Sequence, residues 1–126
     1  MAAAPRKSVL VVDDCAELIQ SVRGALEPRG FEVLQATNPF VAVREATAHT
    51  PDVIVLDLNM PGMDGLEVMR HLKRIPETRD IPIIAFTGER LTEMDYARGR
   101  GFDRIVLKES GLEALENEIA GMIAMC

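Results

Sequence analysis

Short, continuous apolar runs stand at residues 9–12 (Val-Leu-Val-Val) and 53–56 (Val-Ile-Val-Leu), and further strand-like stretches at 31–36, 81–86 and 104–107. Continuity, together with many β-branched residues, is the pattern of strands buried on both faces of a parallel sheet. Between these runs the apolar spacing changes to three and four residues. Leu18, Ile19, Val22, Ala25 and Leu26 share one helical face, closed by Pro28 and Gly30. Asn38-Pro39 supplies an N-cap and a first-turn proline for a helix to about Ala48, and His49-Thr50-Pro51 breaks it. Residues 59–65 read as a turn-rich loop, followed by a helix over 66–74 with Asp64 and Glu67 as its capping box. A weaker helical stretch over 91–98 ends at Gly99 and Gly101. Ser110 and Glu113 then open a last helix whose face is Leu112, Leu115, Ile119, Met122 and Ile123.

Five strand–helix units in this order predict an α/β fold. Right-handed crossovers put helices on both faces of a five-stranded parallel sheet, doubly wound in the order 2-1-3-4-5, with five helices. Residues 1–7 are expected to be an N-terminal tail and 8–126 a single domain. In such a sheet the ligand crevice opens at the carboxyl ends of strands 1 and 3.

Composition narrows the choices. A chain of 126 residues suits one core. Its net charge of −6 argues against non-specific nucleic-acid binding, which depends on Lys and Arg neutralising phosphates. No apolar run approaches a membrane span, and residues 1–7 lack a secretory apolar stretch, so a cytoplasmic location is expected. Cys15 and Cys126 have no metal or redox spacing, and Cys15 reads as a space-filling residue. His49 and His71 read as solvated. Met60, Met63, Met69 and Met94 read as core filling.

The candidate chemistry stands at the strand ends. Asp13-Asp14 follows the first run, Asp57 the third, Thr87 the fourth and Lys108 the fifth. Three carboxylates converging on one crevice resist joint ionisation unless a cation is shared, and Mg²⁺ suits a few carboxylates plus phosphate oxygens and water. A hydroxyl and an ammonium beside them suit a phosphoryl group, and one carboxylate can serve as the nucleophile. Taken singly, Asp14 with Glu17 also reads as a capping box, Asp57 as turn chemistry, and Lys108 as a surface charge. Their order on successive units favours the functional reading.

The run Val11-Val12-Asp13-Asp14, then Leu56-Asp57-Leu58-Asn59-Met60-Pro61-Gly62-Met63-Asp64-Gly65, then Thr87 and Lys108, resembles the receiver domain of two-component response regulators, over roughly residues 8–124. The resemblance implies a flavodoxin-like receiver fold and a phosphorylated signalling switch rather than a metabolic enzyme. It implies that Asp57 accepts a phosphoryl group from a phosphohistidine on a histidine kinase or histidine phosphotransfer protein. Asp14, Asp57 and the backbone carbonyl of Asn59 would ligate Mg²⁺, with Asp13 acting through water. Lys108 would pair with the phosphoryl group or Asp57, and Thr87 would be drawn toward the phosphate. Asn59 and Glu89 match positions that tune hydrolysis of the acyl phosphate. A downstream protein would read the face made by the fourth helix, fifth strand and fifth helix.

Two departures stand out. Receivers usually carry Tyr or Phe where this chain has Ile105, so coupling between Thr87 and an aromatic ring is expected to be absent and output to run through 91–98. Phe86 is the residue expected to fill the volume Ile105 leaves. Lys108-Glu109 replaces the family's Lys-Pro, so a trans peptide is expected there. Three rivals remain at this stage: a phosphatase or phosphotransferase with an aspartyl nucleophile, a flavodoxin-like cofactor binder, and a docking receiver independent of phosphorylation. The first usually has Asp-x-Asp after strand 1, and the second needs a phosphate loop that Asp13-Asp14-Cys15-Ala16 does not supply. The end of the chain at its last helix fits a stand-alone receiver, and equally a domain of a longer regulator or hybrid kinase.

Overall fold

The computed structural model describes residues 6–60, 63–88 and 101–124. Seven strands occur among these: β1 (Ser8–Val12), β2 (Glu32–Ala36), β3 (Val53–Leu56), β4 (Asn59–Met60), β5 (Met63–Asp64), β6 (Ile83–Thr87) and β7 (Arg104–Leu107). Five of them build one parallel sheet in the order β2-β1-β3-β6-β7, which is the predicted 2-1-3-4-5 winding. The other two, β4 and β5, form a small antiparallel pair inside the segment expected to be a loop, with Asn59 opposite Asp64 and Met60 opposite Met63.

Four α-helices lie among the described residues: α1 (Ala16–Leu26), α2 (Pro39–His49), α3 (Gly65–Arg74) and α4 (Gly111–Ala124). The fifth expected helix, over 91–98, falls outside them. No helix among the described residues is long and apolar enough to cross a membrane.

The two-residue period of the strands divides the core into two layers. Leu10, Val12, Ile54, Leu56 and Ile83 face Ala42 and Ala46 of α2 and Leu66, Met69 and Leu72 of α3. Val9, Val11, Val53, Val55, Ile84 and Phe86 face the other way, onto Ile19, Val22 and Leu26 of α1 and Leu115 and Ile119 of α4. β3 is buried at all four positions, as its unbroken apolar run requires.

Local signals set most boundaries. Asn38 caps α2 by accepting from the Val41 amide at 2.9 Å, with Pro39 in the first turn. Gly30 ends the 3₁₀ turn after α1 with φ 93°, a conformation that glycine adopts without strain. Thr78, fully buried, donates to the Leu72 carbonyl at 2.6 Å and so satisfies the end of α3.

Some expectations shift. The fourth sheet strand starts at Ile83 rather than 81, because Pro82 has no amide to give; only its carbonyl enters the ladder, accepting from Ile54 N at 3.0 Å. The Asp14–Glu17 capping box does not form. Cys15 is the N-cap residue of α1, with no side-chain cap bond, and its amide donates to Asp13 Oδ1 at 2.9 Å. The side chain of Asp64 lies outside the described residues, and with it the proposed box to Glu67. Ser110 closes a 3₁₀ turn over Lys108–Ser110 ahead of α4.

Candidate functional site

Register brings the acidic residues together. Val12 pairs with Leu56 across β1 and β3, so the residues that follow each strand, Asp13 and Asp57, emerge side by side. Their backbones continue the ladder for one more step: Asp13 N donates to Ala36 O at 3.1 Å and Asp57 N to Val12 O at 3.0 Å. One carboxylate oxygen from each of Asp13, Asp14 and Asp57 lies within 4.8 Å of the other two. Asp13 and Asp57 are buried, whereas Asp14 is exposed.

The far side of the sheet supplies the rest. Leu56 pairs with Ala85 across β3 and β6, and Thr87 pairs with Leu107 across β6 and β7, which puts Lys108 one residue beyond Thr87. Lys108 Nζ donates to Asp13 Oδ2 at 3.0 Å and lies 3.6 Å from Asp57 Oδ2. The expected partner was Asp57; the closer one is Asp13, whose other oxygen takes the Cys15 amide. The side chain reaches the carboxylates with no cis peptide bond among the described residues. Partial burial of Lys108 opposes its charge, but the hydrogen bond to Asp13 and the charges of Asp57 and Asp13 outweigh it. Its pKa is therefore raised, and the ammonium persists at and well above neutral pH.

One ammonium against three carboxylates leaves the cluster short of positive charge. Removing carboxylates from water costs several kcal/mol per ion unless each is paired or shares a cation, of order 20 kcal/mol in an idealised apolar medium. Lys108 serves two of them, and the exposed Asp14 completes a donor set of hard oxygens. That chemistry fits Mg²⁺, which accepts a few carboxylates and keeps water for the remaining positions.

Thr87 is fully buried, and its hydroxyl oxygen has no hydrogen-bond partner among the described residues. A buried polar group in that state costs about 1–3 kcal/mol. Its strand-end position beside the Lys108 strand makes it a donor without an acceptor.

The Ile105 departure resolves differently from expectation. Phe86 does not fill that volume: it points to the opposite face of the sheet, among Val9, Val11, Ile84 and Val106, with Lys108 Nζ 6.0 Å from its ring centre. Neighbouring strand positions face opposite ways, which is why residue 86 cannot share a side with 85 and 87. Phe102 and Ile105 pack together against Leu58 and Ala85, and Ala85 is on the same strand face as Thr87. Phe102 went unmarked in the sequence because it stands alone after Gly101, outside any periodic pattern. Gly65, which the sequence marked only as the end of the 59–65 run, donates its amide to Leu58 O at 3.2 Å and lies against the Asp57 peptide. Cys15 is exposed and free. Asn59 begins β4, two residues beyond Asp57; its side chain, and Glu89 entirely, lie outside the described residues. His49 is exposed and sits 3.1 Å from Glu45.

Comparison with known proteins agrees with this geometry. The family described as response regulator receiver domain matches residues 9–120. Over 107 residues the chain is 36% identical to the phosphate regulon transcriptional regulatory protein PhoB of Escherichia coli strain K12, covering 85% of this chain and 43% of that protein. Over 103 residues it is 41% identical to the response regulator PleD of Caulobacter vibrioides, covering 82% of this chain and 21% of that one. The chain thus spans less than half the length of these curated relatives. Its fold superposes on the structure of the Vibrio cholerae chemotaxis protein CheY4 with a TM-score of 0.86 at 28% identity, covering 94% of this chain and 99% of that one. Sheet order, strand-end carboxylates and sequence similarity converge on one assignment: the chain belongs to the family of response regulator receiver domains.

Proposed function

We propose that this receiver domain is a phosphorylation switch whose acceptor is Asp57, loaded from a phosphohistidine on a histidine kinase or histidine phosphotransfer protein. The observation that carries the reading is the cluster of Asp13, Asp14 and Asp57 carboxylates within 4.8 Å, with Lys108 Nζ against two of them. A carboxylate oxygen of Asp57 attacks phosphorus, and the bond from phosphorus to the histidine nitrogen breaks. That nitrogen keeps the electron pair, and the product is an acyl phosphate. In the reverse sense of signalling, water attacks the same phosphorus, the acyl-oxygen–phosphorus bond breaks, and the Asp57 carboxylate and inorganic phosphate are released.

Asp13, Asp14, Asp57 and the Asn59 carbonyl would hold Mg²⁺, which supplies positive charge to the phosphoryl oxygens. Lys108 neutralises a phosphoryl oxygen from the β7 side, and its raised pKa keeps it charged throughout the physiological range. Asn59 and Glu89 modulate hydrolysis. The domain turns over no external metabolite, and a cytoplasmic setting goes with its kinase partner. The downstream protein reads the segment 91–98 together with β7 and α4, and on β7 the aliphatic Ile105, with Phe102, packs against Leu58 and Ala85. Incubation with a small phosphodonor such as acetyl phosphate tests the proposal. Intact mass should rise by one phosphoryl group with Mg²⁺ present, stay unchanged with a chelator, and return to the starting value on standing. Labelling that ignores the chelator would overturn the metal assignment.

Thr87 is the group that waits for an acceptor. In Thr87→Val the buried, unpartnered oxygen is replaced by a methyl group of similar size. The unphosphorylated protein should unfold at an equal or higher urea concentration. The fraction phosphorylated at a fixed donor concentration should fall, with the phosphorylated state weakened by about tenfold through the lost charge-assisted hydrogen bond. A less stable resting protein that phosphorylates normally would remove Thr87 from the site.

A further inference from the structure

A surface on the opposite side of the sheet from α1 and α4 has no part in this chemistry. An open groove of about 330 Å³ runs between α2 and α3, floored by Pro39, Phe40, Val43 and Val68. The Asn38 cap and Pro39 start α2 so that Ala42 and Ala46 turn toward the sheet, which leaves Phe40 facing outward. At 81% exposure, Phe40 is the one large exposed hydrophobic side chain among the described residues. A lone exposed apolar residue needs no explanation; one that lines an apolar groove is a candidate contact.

The rim has a definite charge. Arg44, Glu67 and His71 border the groove, and a second hollow continues it along α3 between Glu67, Arg70, His71 and Arg74, three arginines against one acid. Arg23, Arg29 and Arg104 are paired with Glu27, Glu116 and Glu118. Arg44, Arg70 and Arg74 are exposed, and among the described residues they have no ion pair and no side-chain hydrogen bond. Glu45, the nearest acid on α2, is engaged with His49. On a chain of net charge −6, this is a local surplus of positive charge around an apolar floor.

We propose that the α2–α3 groove docks an acidic segment of a partner protein that carries an apolar side chain. The apolar group covers Phe40, Val43 and Val68, and flanking carboxylates pair with Arg44, Arg70 and Arg74, whose fork geometry suits carboxylates. A second copy of this chain is a poorer occupant, since a two-fold contact sets the three arginines against their own equivalents. Nucleic acid is opposed by the negative charge of the whole domain.

The test uses the intact isotope-labelled chain and a short peptide of Asp and Glu around a central Leu-Phe pair. One control peptide carries Lys in place of the acids, and another carries Ser in place of Leu-Phe. Expected are amide shifts concentrated at Phe40, Val43, Arg44, Val68 and His71, weakened by salt and absent with either control. The double variant R44E/R70E, altered only at exposed positions, should bind about tenfold more weakly while keeping its thermal unfolding midpoint and its phosphorylation. The proposal is overturned by no shift at millimolar peptide, by equal binding of the Lys peptide, or by shifts centred on β7 and α4. Shifts at Phe40 that grow with protein concentration alone would instead assign the groove to self-association.

Discussion

Asp57→Asn is expected to lose phosphorylation by about a thousandfold or more, because the variant keeps the shape of the site and lacks the carboxylate proposed to attack phosphorus. The fold should survive. Asp57 is buried beside Asp13, and the change removes one of two crowded negative charges while Lys108 keeps its 3.0 Å bond to Asp13. The urea midpoint of the variant should therefore match or exceed that of the parent in the absence of metal. Asp13→Asn and Asp14→Asn serve as companions: they keep the acceptor, so labelling should persist but require more Mg²⁺. Intact mass after incubation with acetyl phosphate, over a Mg²⁺ series, separates the two classes. If Asp57→Asn labels like the parent while Asp14→Asn does not, the acceptor has been misassigned.

Gly65→Ala should be the most damaging conservative change available near the site. A β-carbon built there would stand 2.7 Å from the Asp57 carbonyl oxygen and 2.7 Å from the Leu58 α-carbon. Both are backbone atoms and cannot rotate aside, so the start of α3 or the segment after β3 must shift. Overpacking of this kind costs about 1–3 kcal/mol, occasionally more. Better helix propensity of alanine returns at most about 1 kcal/mol. Packing wins, and the displaced peptide is the one that carries the proposed acceptor Asp57, so labelling should slow as well. Gly24→Ala is the control. Gly24 lies in the last turn of α1, is exposed, and would place a β-carbon with nothing within 4 Å. The same substitution there should stabilise by up to about 1 kcal/mol. Urea midpoints at unchanged slope measure both; shifts in the same direction at both positions would refute the close-approach account of Gly65.

The apolar rhythm of the chain carried most of this architecture. Residues 53–56 and 104–107 were bounded correctly because Val, Ile and Leu fill 53–56 and 105–107 between polar turns and leave few alternatives. Asn38-Pro39 marked the start of α2 through a purely local device, an amide bonded to a side chain three residues away. The acidic site was legible for a related reason. A carboxylate one step beyond a buried strand must surface at the sheet's end, and strand order then decides which ends are neighbours. Where cues competed, the sequence was less informative. Asp14 and Glu17 fit a capping box, yet Asp13 took the Cys15 amide, since β1 delivers it to that point. The antiparallel pair of β4 and β5 hid inside a segment whose Pro and Gly suggested only turns.

Residue types and their spacing determined the fold class, the sheet order and the list of acidic, hydroxyl and ammonium groups, because these depend on local periodicity and on which side of a strand end a residue falls. Tertiary structure alone decided that Lys108 bonds Asp13 more closely than Asp57, that Thr87 keeps an orphaned hydroxyl, and that Phe102 rather than Phe86 accompanies Ile105. It also decided that Gly65 must have no side chain and that Arg44, Arg70 and Arg74 rim an apolar groove. Most of these are distances between residues on different elements of the fold. Such distances follow from register and from the packing of whole layers, which no short window of sequence contains.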